Sequence, residues 1–146
     1  SYGVYRLFSF GAVRVARPAS FVVDSCGFVR FSRVAASPID AAPVADLGRR
    51  IEVHERFPAR VNVGFRRVKS RDNIDLRVFE RGTGETLACG TGACAAVVTG
   101  QAAGRLGEDV TVNLPGGQLM VSWRGPGEPV WLTGNAELIE EGILDL

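Results

Sequence analysis

The stretch "ETLACGTGACAA", residues 85–96, holds the residues best suited to chemistry. Cys89 is followed by Gly90, Thr91 and Gly92 at what reads as the join between a strand and a helix. The first N–H groups of a helix have no partner inside it, so the amides of Gly90, Thr91 and Gly92 can converge on one point. Glycines let a ligand approach the backbone closely, and the helix dipole favours an anion such as a carboxylate there. The same field lowers a thiol pKa, so a reactive Cys89 thiolate is expected beside a carboxylate cradle. The competing reading is a small, buried, unreactive cysteine in a packed helix. Zinc is a poor fit, because four residues separate Cys89 from Cys94, no second ligand pair follows, and His54 is the one histidine. Three cysteines make no disulfide framework. Cys94, one and a half turns further on, is expected to be a packed structural thiol.

The elements that must hold this stretch can be read around it. From Thr91 to Ala103 the sequence is almost all Ala, Gly and Val with no charge. A helix of that kind has no solvated face, so it should be enclosed by strands, with Gly104 as its stop. Upstream, "RVNVGFRRVKS" and "NIDLRVFERG" read as two strands joined by a turn around Ser70–Asn73. In the second, Ile74, Leu76 and Val78 alternate with Asp75 and Arg77, the strand period of two. A short helix is expected from about Ala42 to Ile51, with Asp40 near its start, and Phe57–Pro58 breaks the chain after it. Downstream, "DVTVNL" and "QLMVSW" flank Pro115–Gly116–Gly117 as a hairpin, and "EPVWLTG" and "AELIEEGILDL" supply further strands. The order implies an α+β domain, a mainly antiparallel sheet or barrel wrapped around a central small-residue helix.

Composition sets the outer limits. At 146 residues, 46% hydrophobic and 23% charged, the chain can build one ordinary globular core. A net charge of +1 offers no footprint for nucleic acid, and no apolar run reaches the roughly 18–20 residues of a membrane span. The start, "SYGVYRLFSFGAVRV", lacks the layout of a secretion signal, so reduced thiols in a cytoplasm are expected. Residues 1–33 differ from the rest: they carry net charge +4 and seven of the twelve aromatics, whereas residues 34–146 carry net −3. The chain begins at Ser1 rather than Met, which is compatible with a piece of a longer chain.

The blocks "ERFPARVNVGF", "VFERGTGETLACGTGACAA", "LPGGQLMVSW" and "PVWLTGNAELIEEG", in that order over about residues 39–146, resemble the C-terminal half of diaminopimelate epimerase. The resemblance implies cofactor-independent inversion of LL-diaminopimelate to the meso form, on the way to lysine and peptidoglycan, by two cysteines on opposite faces of the α-carbon. It implies that Cys89 is one of the pair and that the amides of Gly90 and Thr91 hold the α-carboxylate. Glu80 and Arg81 would contact the substrate's amino and carboxylate groups, and Asn62 its distal end. No cofactor or metal is implied, the partner is a small amino-acid substrate, and a homodimer is the family's habit. The residue types suit the reaction. An α-proton is very weakly acidic, so fixed charge must stabilise the carbanion, and two groups on opposite faces spare the substrate a rotation.

The first half of the family pattern is missing. A Cys-Gly-Asn-Gly turn and a Gly-Asn-Pro-His segment should precede residue 39, where the chain reads "VVDSCGFVRFSRVAASPID". Cys26–Gly27 lacks the following Asn-Gly and is not assigned the partner role. Residues 1–33 are therefore expected to be a divergent, truncated or frame-shifted segment. On that basis residues 34–146 form one domain that supplies half a site and is inactive alone. His54 is expected to be structural. A proline racemase-like enzyme of the same architecture and a non-catalytic association domain are the alternatives.

Overall fold

A computed structural model of the chain describes residues 42–136, residue 39, and the backbone of residues 19–23 and 29–34. Asp40, Cys26 and most of "AELIEEGILDL" lie outside the described residues. The elements are β1 (Ala19–Val23), β2 (Val29–Val34), α1 (Val44–Glu52), β3 (Asn62–Ser70), β4 (Asn73–Glu80), β5 (Gly84–Thr86), α2 (Gly90–Ala102), β6 (Asp109–Leu114), β7 (Gly117–Trp123) and β8 (Val130–Thr133). The strands form one sheet in the order β2-β1-β3-β4-β6-β7-β8, with β5 also on β4. This is the expected α+β fold, and among the described residues the sheet is open rather than closed into a barrel.

All pairings are antiparallel except β4 with β6, where Asn73 lies against Thr111 and Asp75 against Asn113. Parallel neighbours need a crossover connection, and α2 is that crossover. The two strands that share one edge of β4 divide it: β6 takes residues 73–75, whereas β5 pairs with residues 78–80. The Asn113 amide closes the parallel seam by donating to Ile74 O at 2.9 Å and Asn73 Oδ1 at 2.8 Å.

The alternation in β4 sorts its side chains between two helices. Ile74, Leu76 and Val78 join Ala93, Val97, Val98, Val110, Val112 and Val121 in the larger core around α2. Phe79 points the other way, into a smaller core with Val44, Val61, Val63 and Phe65 beneath α1. Helix α1 begins at Val44 rather than Ala42, because a residue before a proline is pushed out of the helical region and Pro43 follows Ala42.

Helix α2 is buried from Gly92 through Val98 and again at Gly100, as its composition requires. It ends in a Schellman motif: Gly104 N–H donates to Gln101 O and Arg105 N–H to Gly100 O, with Gly104 at φ +70°. One contact was not legible from sequence. Arg66, on β3 and 6% exposed, points at α2 and donates to Ala96 O and, at 3.1 Å, to Thr99 Oγ1. Burial, with Arg105 nearby, pulls its guanidinium down to about 10.

The close approach at Gly100 yields a test. A Cβ there would lie 2.3 Å from Leu106 Cδ1 and 2.9 Å from Arg66 Nη1. Gly100→Ala should therefore lower stability by about 1–3 kcal/mol in urea unfolding, despite alanine's better helix propensity. Combined with Leu106→Ala, it should cost less than the sum of the two single changes. Gly104→Ala meets no neighbour within 4 Å and should lose only about 1–2 kcal/mol, from its left-handed backbone.

Candidate functional site

The divided edge of β4 explains where the site forms. Past residue 75 the strand is released by β6, its last residues take β5 instead, and the chain turns from β5 directly into α2. The end of β4 and the start of α2 therefore lie side by side, with Glu80 on one and Cys89 on the other.

Cys89 is the N-cap of α2, with the extended backbone that a cap adopts (φ −146°, ψ 106°). Its sulfur takes the role usually filled by a serine or aspartate oxygen, accepting the Gly92 N–H at 3.4 Å. The Thr91 hydroxyl lies 3.5 Å from the same sulfur. Gly90 and Thr91 fill the first two helical positions, whose N–H groups have no partner within the helix. Space at Gly92 is tight, since a Cβ there would sit 3.0 Å from Val78 Cγ2 and 3.2 Å from Cys89 Sγ.

Cys89 is 6% exposed, and the protonation of its sulfur differs from the expectation drawn from the helix start. Burial pushes the Cys89 thiol up, and the hydrogen bonds from Thr91 and Gly92 only partly offset this. The Glu80 carboxylate pushes in the same direction as burial, through its charge and through a hydrogen bond with the thiol. Desolvation and a neighbouring anion together outweigh the helix N-terminus. Cys94 is buried at 2% exposure and pushed up to about 11, as suits a packing thiol. Both cysteines are free.

Glu80 is itself held. The Thr86 hydroxyl, on β5, donates to Glu80 Oε1 at 2.5 Å. Asn62 opens β3 and meets the end of β4, where its Oδ1 accepts the Arg81 N–H at 2.7 Å. The Arg81 guanidinium donates to Ala59 O at 3.1 Å on the exposed side. Asn62 and Arg81 are bonded to each other at the open end of the β3–β4 hairpin, where Glu80 ends β4 near enough for its charge to act on the Cys89 thiol. His54 stands apart in the loop after α1, where Nδ1 accepts the Arg56 N–H at 3.2 Å and the ring tilts against Phe57. Thr86 is the member of the site that sequence reasoning missed, since a lone threonine in a three-residue strand has no pattern to mark it. Among the described residues no group of three or more His, Cys, Asp or Glu could hold a metal ion, and no helix is long and apolar enough to cross a membrane.

Comparison with known proteins bears on the same residues. The sequence model of the family described as "Diaminopimelate epimerase" matches residues 33–139. The chain is 60% identical over 108 residues to a protein of Alkalilimnicola ehrlichii named diaminopimelate epimerase, a match covering 74% of this chain and 39% of that relative. It is also 60% identical over 105 residues to the protein of that name from Halorhodospira halophila, covering 72% of this chain and 37% of the relative. The chain therefore spans well under half the length of these relatives. The family match runs through β3, β4, α2 and the hairpin beyond, and takes in every residue gathered at the start of α2: the chain belongs to the diaminopimelate epimerase family.

Proposed function

We propose that this chain supplies one half of the active site of a cofactor-independent diaminopimelate epimerase, with Cys89 as one of two thiols that exchange the α-proton. The observation that carries the reading is Cys89 as the N-cap of α2, its sulfur on the Gly92 N–H and beside the Thr91 hydroxyl. The start of the helix thus gathers a sulfur and the free N–H groups of Gly90 and Thr91, with Glu80 at the neighbouring end of β4. The N–H groups of Gly90 and Thr91 suit an α-carboxylate, and Glu80 suits the cationic amino group on the same carbon. Asn62 and Arg81, tied together beside them, suit the remainder of the substrate.

In the chemistry proposed, one sulfur as thiolate takes the α-proton and becomes a thiol. The carbanion is stabilised by the adjacent ammonium and by the amides on its carboxylate. The second sulfur, as thiol, then delivers its proton to the opposite face and is left as thiolate. Proton count and charge balance over the cycle, and the enzyme ends with the two roles exchanged. Burial and Glu80 favour the S–H form of Cys89, so in the empty half-site it stands ready as the acid. Cys94, turned into the core, is not a candidate for the opposite face. The second thiol is expected from the part of the relatives' length that this chain does not span.

Two measurements test this. The 146-residue chain should show little or no conversion of LL- to meso-diaminopimelate by chiral chromatography, and little α-hydrogen exchange. Supplying an N-terminal family half that carries the second thiol should raise turnover, and Cys89→Ala should then cut it by about 10²–10⁴. Robust turnover by the isolated chain, abolished by Cys89→Ala, would refute the half-site reading. Iodoacetamide should modify Cys89 faster than Cys94, at rates that climb with pH above neutrality because both thiols are shifted upward. A Cys89 no more reactive than Cys94 would count for an inert module.

A further inference from the structure

Glu52 is a charged side chain in a place where its own helix gives no reason for one. It is the last residue of α1, where the helix dipole disfavours an anion, and it is 6% exposed. The helix lies tight on the end of β4, since a Cβ on Gly48 would stand 2.5 Å from Phe79 Cβ. That packing carries the Glu52 carboxylate to the turn that follows β4, where Oε1 accepts the Gly82 N–H at 2.7 Å.

The turn is closed by the Thr83 N–H donating to Glu80 O at 3.1 Å, with Gly82 at φ +76°. Such a turn has no internal partner for the N–H groups of its two central residues, Arg81 and Gly82. Side chains from two separate elements take them: Asn62, at the start of β3, accepts from Arg81 at 2.7 Å, and Glu52 accepts from Gly82. Glu52 also reaches the loop before β3, where Arg60 Nη1 lies 3.5 Å from the same Oε1. Beside Arg60, Ala59 O accepts the Arg81 guanidinium at 3.1 Å. One carboxylate therefore braces Arg81 at both ends, its backbone through Gly82 and its guanidinium through the Ala59–Arg60 loop. A guanidinium has five N–H donors, so the bond to Ala59 O leaves others for a ligand carboxylate.

We propose that Glu52 is a positioning residue, which holds the Glu80–Thr83 turn and so sets the directions in which Glu80 and Arg81 leave the backbone. Arg81, Gly82 and Thr83 are exposed, so without Glu52 the Gly82 N–H turns to water and the turn takes up other shapes. Both side chains then lose their aim. Glu52 touches no reacting atom in this role. It acts through the two residues that the epimerase reading gives to the charged groups of the substrate, and it rests on that reading for its catalytic meaning.

Backbone amide hydrogen exchange of the full chain, followed by NMR, reads the brace without turnover. Glu52→Ala should speed exchange at Gly82 and Arg81 by about tenfold relative to Val97 in α2. Glu52→Asp keeps the charge but is one methylene short, and it should act in the same sense at Gly82. Glu52→Gln, whose side-chain oxygen still accepts the Gly82 N–H, should restore the parent rates. In the chain supplied with an N-terminal family half, Glu52→Ala should raise KM for LL-diaminopimelate by about tenfold and change kcat by less than about threefold. Glu52→Gln should bring KM back, and Glu52→Ala should add less to Arg81→Ala than it costs alone. Unmoved exchange at Gly82 in both Glu52→Ala and Glu52→Asp, or equal acceleration at Gly82 and Val97, would overturn the proposal. So would an unchanged KM in a variant whose Gly82 amide is freed. A paired parent chain without turnover, in which Gly82 exchange still responds as expected, would uphold the brace and count against the epimerase reading instead.

Discussion

The structure depends on a helix that cannot face water. Between Gly92 and Val98, α2 presents alanine, valine, glycine and one cysteine in every direction, so the one stable arrangement encloses it. Small side chains also permit close approach: Leu106 fills the space where a Cβ on Gly100 would stand, and the Arg66 guanidinium reaches the carbonyl of Ala96. The second contact is the more demanding. A buried cation is tolerated only where oxygen atoms meet it, and here α2 provides them from its own backbone and from Thr99. The helix is thus held by apolar packing around its sides and by a polar strut from β3.

That enclosure fixes the start of α2, and with it the character of Cys89. A helix N-terminus is commonly taken to make a cysteine acidic, and two of its hydrogen-bond donors do act in that direction here. The outcome is reversed because the same packing that positions the sulfur also removes it from water, and β4 brings a carboxylate to its side. The local sequence around Cys89 carries the donors. The opposing effects come from tertiary structure, through burial and through a strand that ends nine residues earlier in the chain.

This separation also marks what the sequence could disclose. The alternation of Ile74, Leu76 and Val78 against Asp75 and Arg77 identified β4 and its inward face, because one face is buried and the period is unambiguous. The composition of α2 foretold its burial, and the Pro115–Gly116 turn the β6–β7 hairpin. The parallel pairing of β4 with β6 was hidden, since a strand's own residues do not state which neighbour it takes or in which direction. Arg66 was equally opaque: in "VGFRRVKS" it and Arg67 look alike, yet one is buried against α2 and the other sits at the surface with Asp75. Among the site residues, Cys89, Glu80 and Asn62 were found through motif and resemblance. Thr86 acts only through a contact across β4 and β5, which the linear order does not display.

The parallel seam has a consequence for how the molecule is assembled. The β3–β4 and β6–β7 hairpins join residues near one another in the chain and can form from local contacts alone. Joining Asn73 to Thr111 closes a loop that includes all of β5 and α2, with an entropy that no local contact offsets. Cys89, Glu80 and Thr86 all lie inside that loop. The proposed site therefore lies within a non-local closure, and the two hairpins can be complete before it exists.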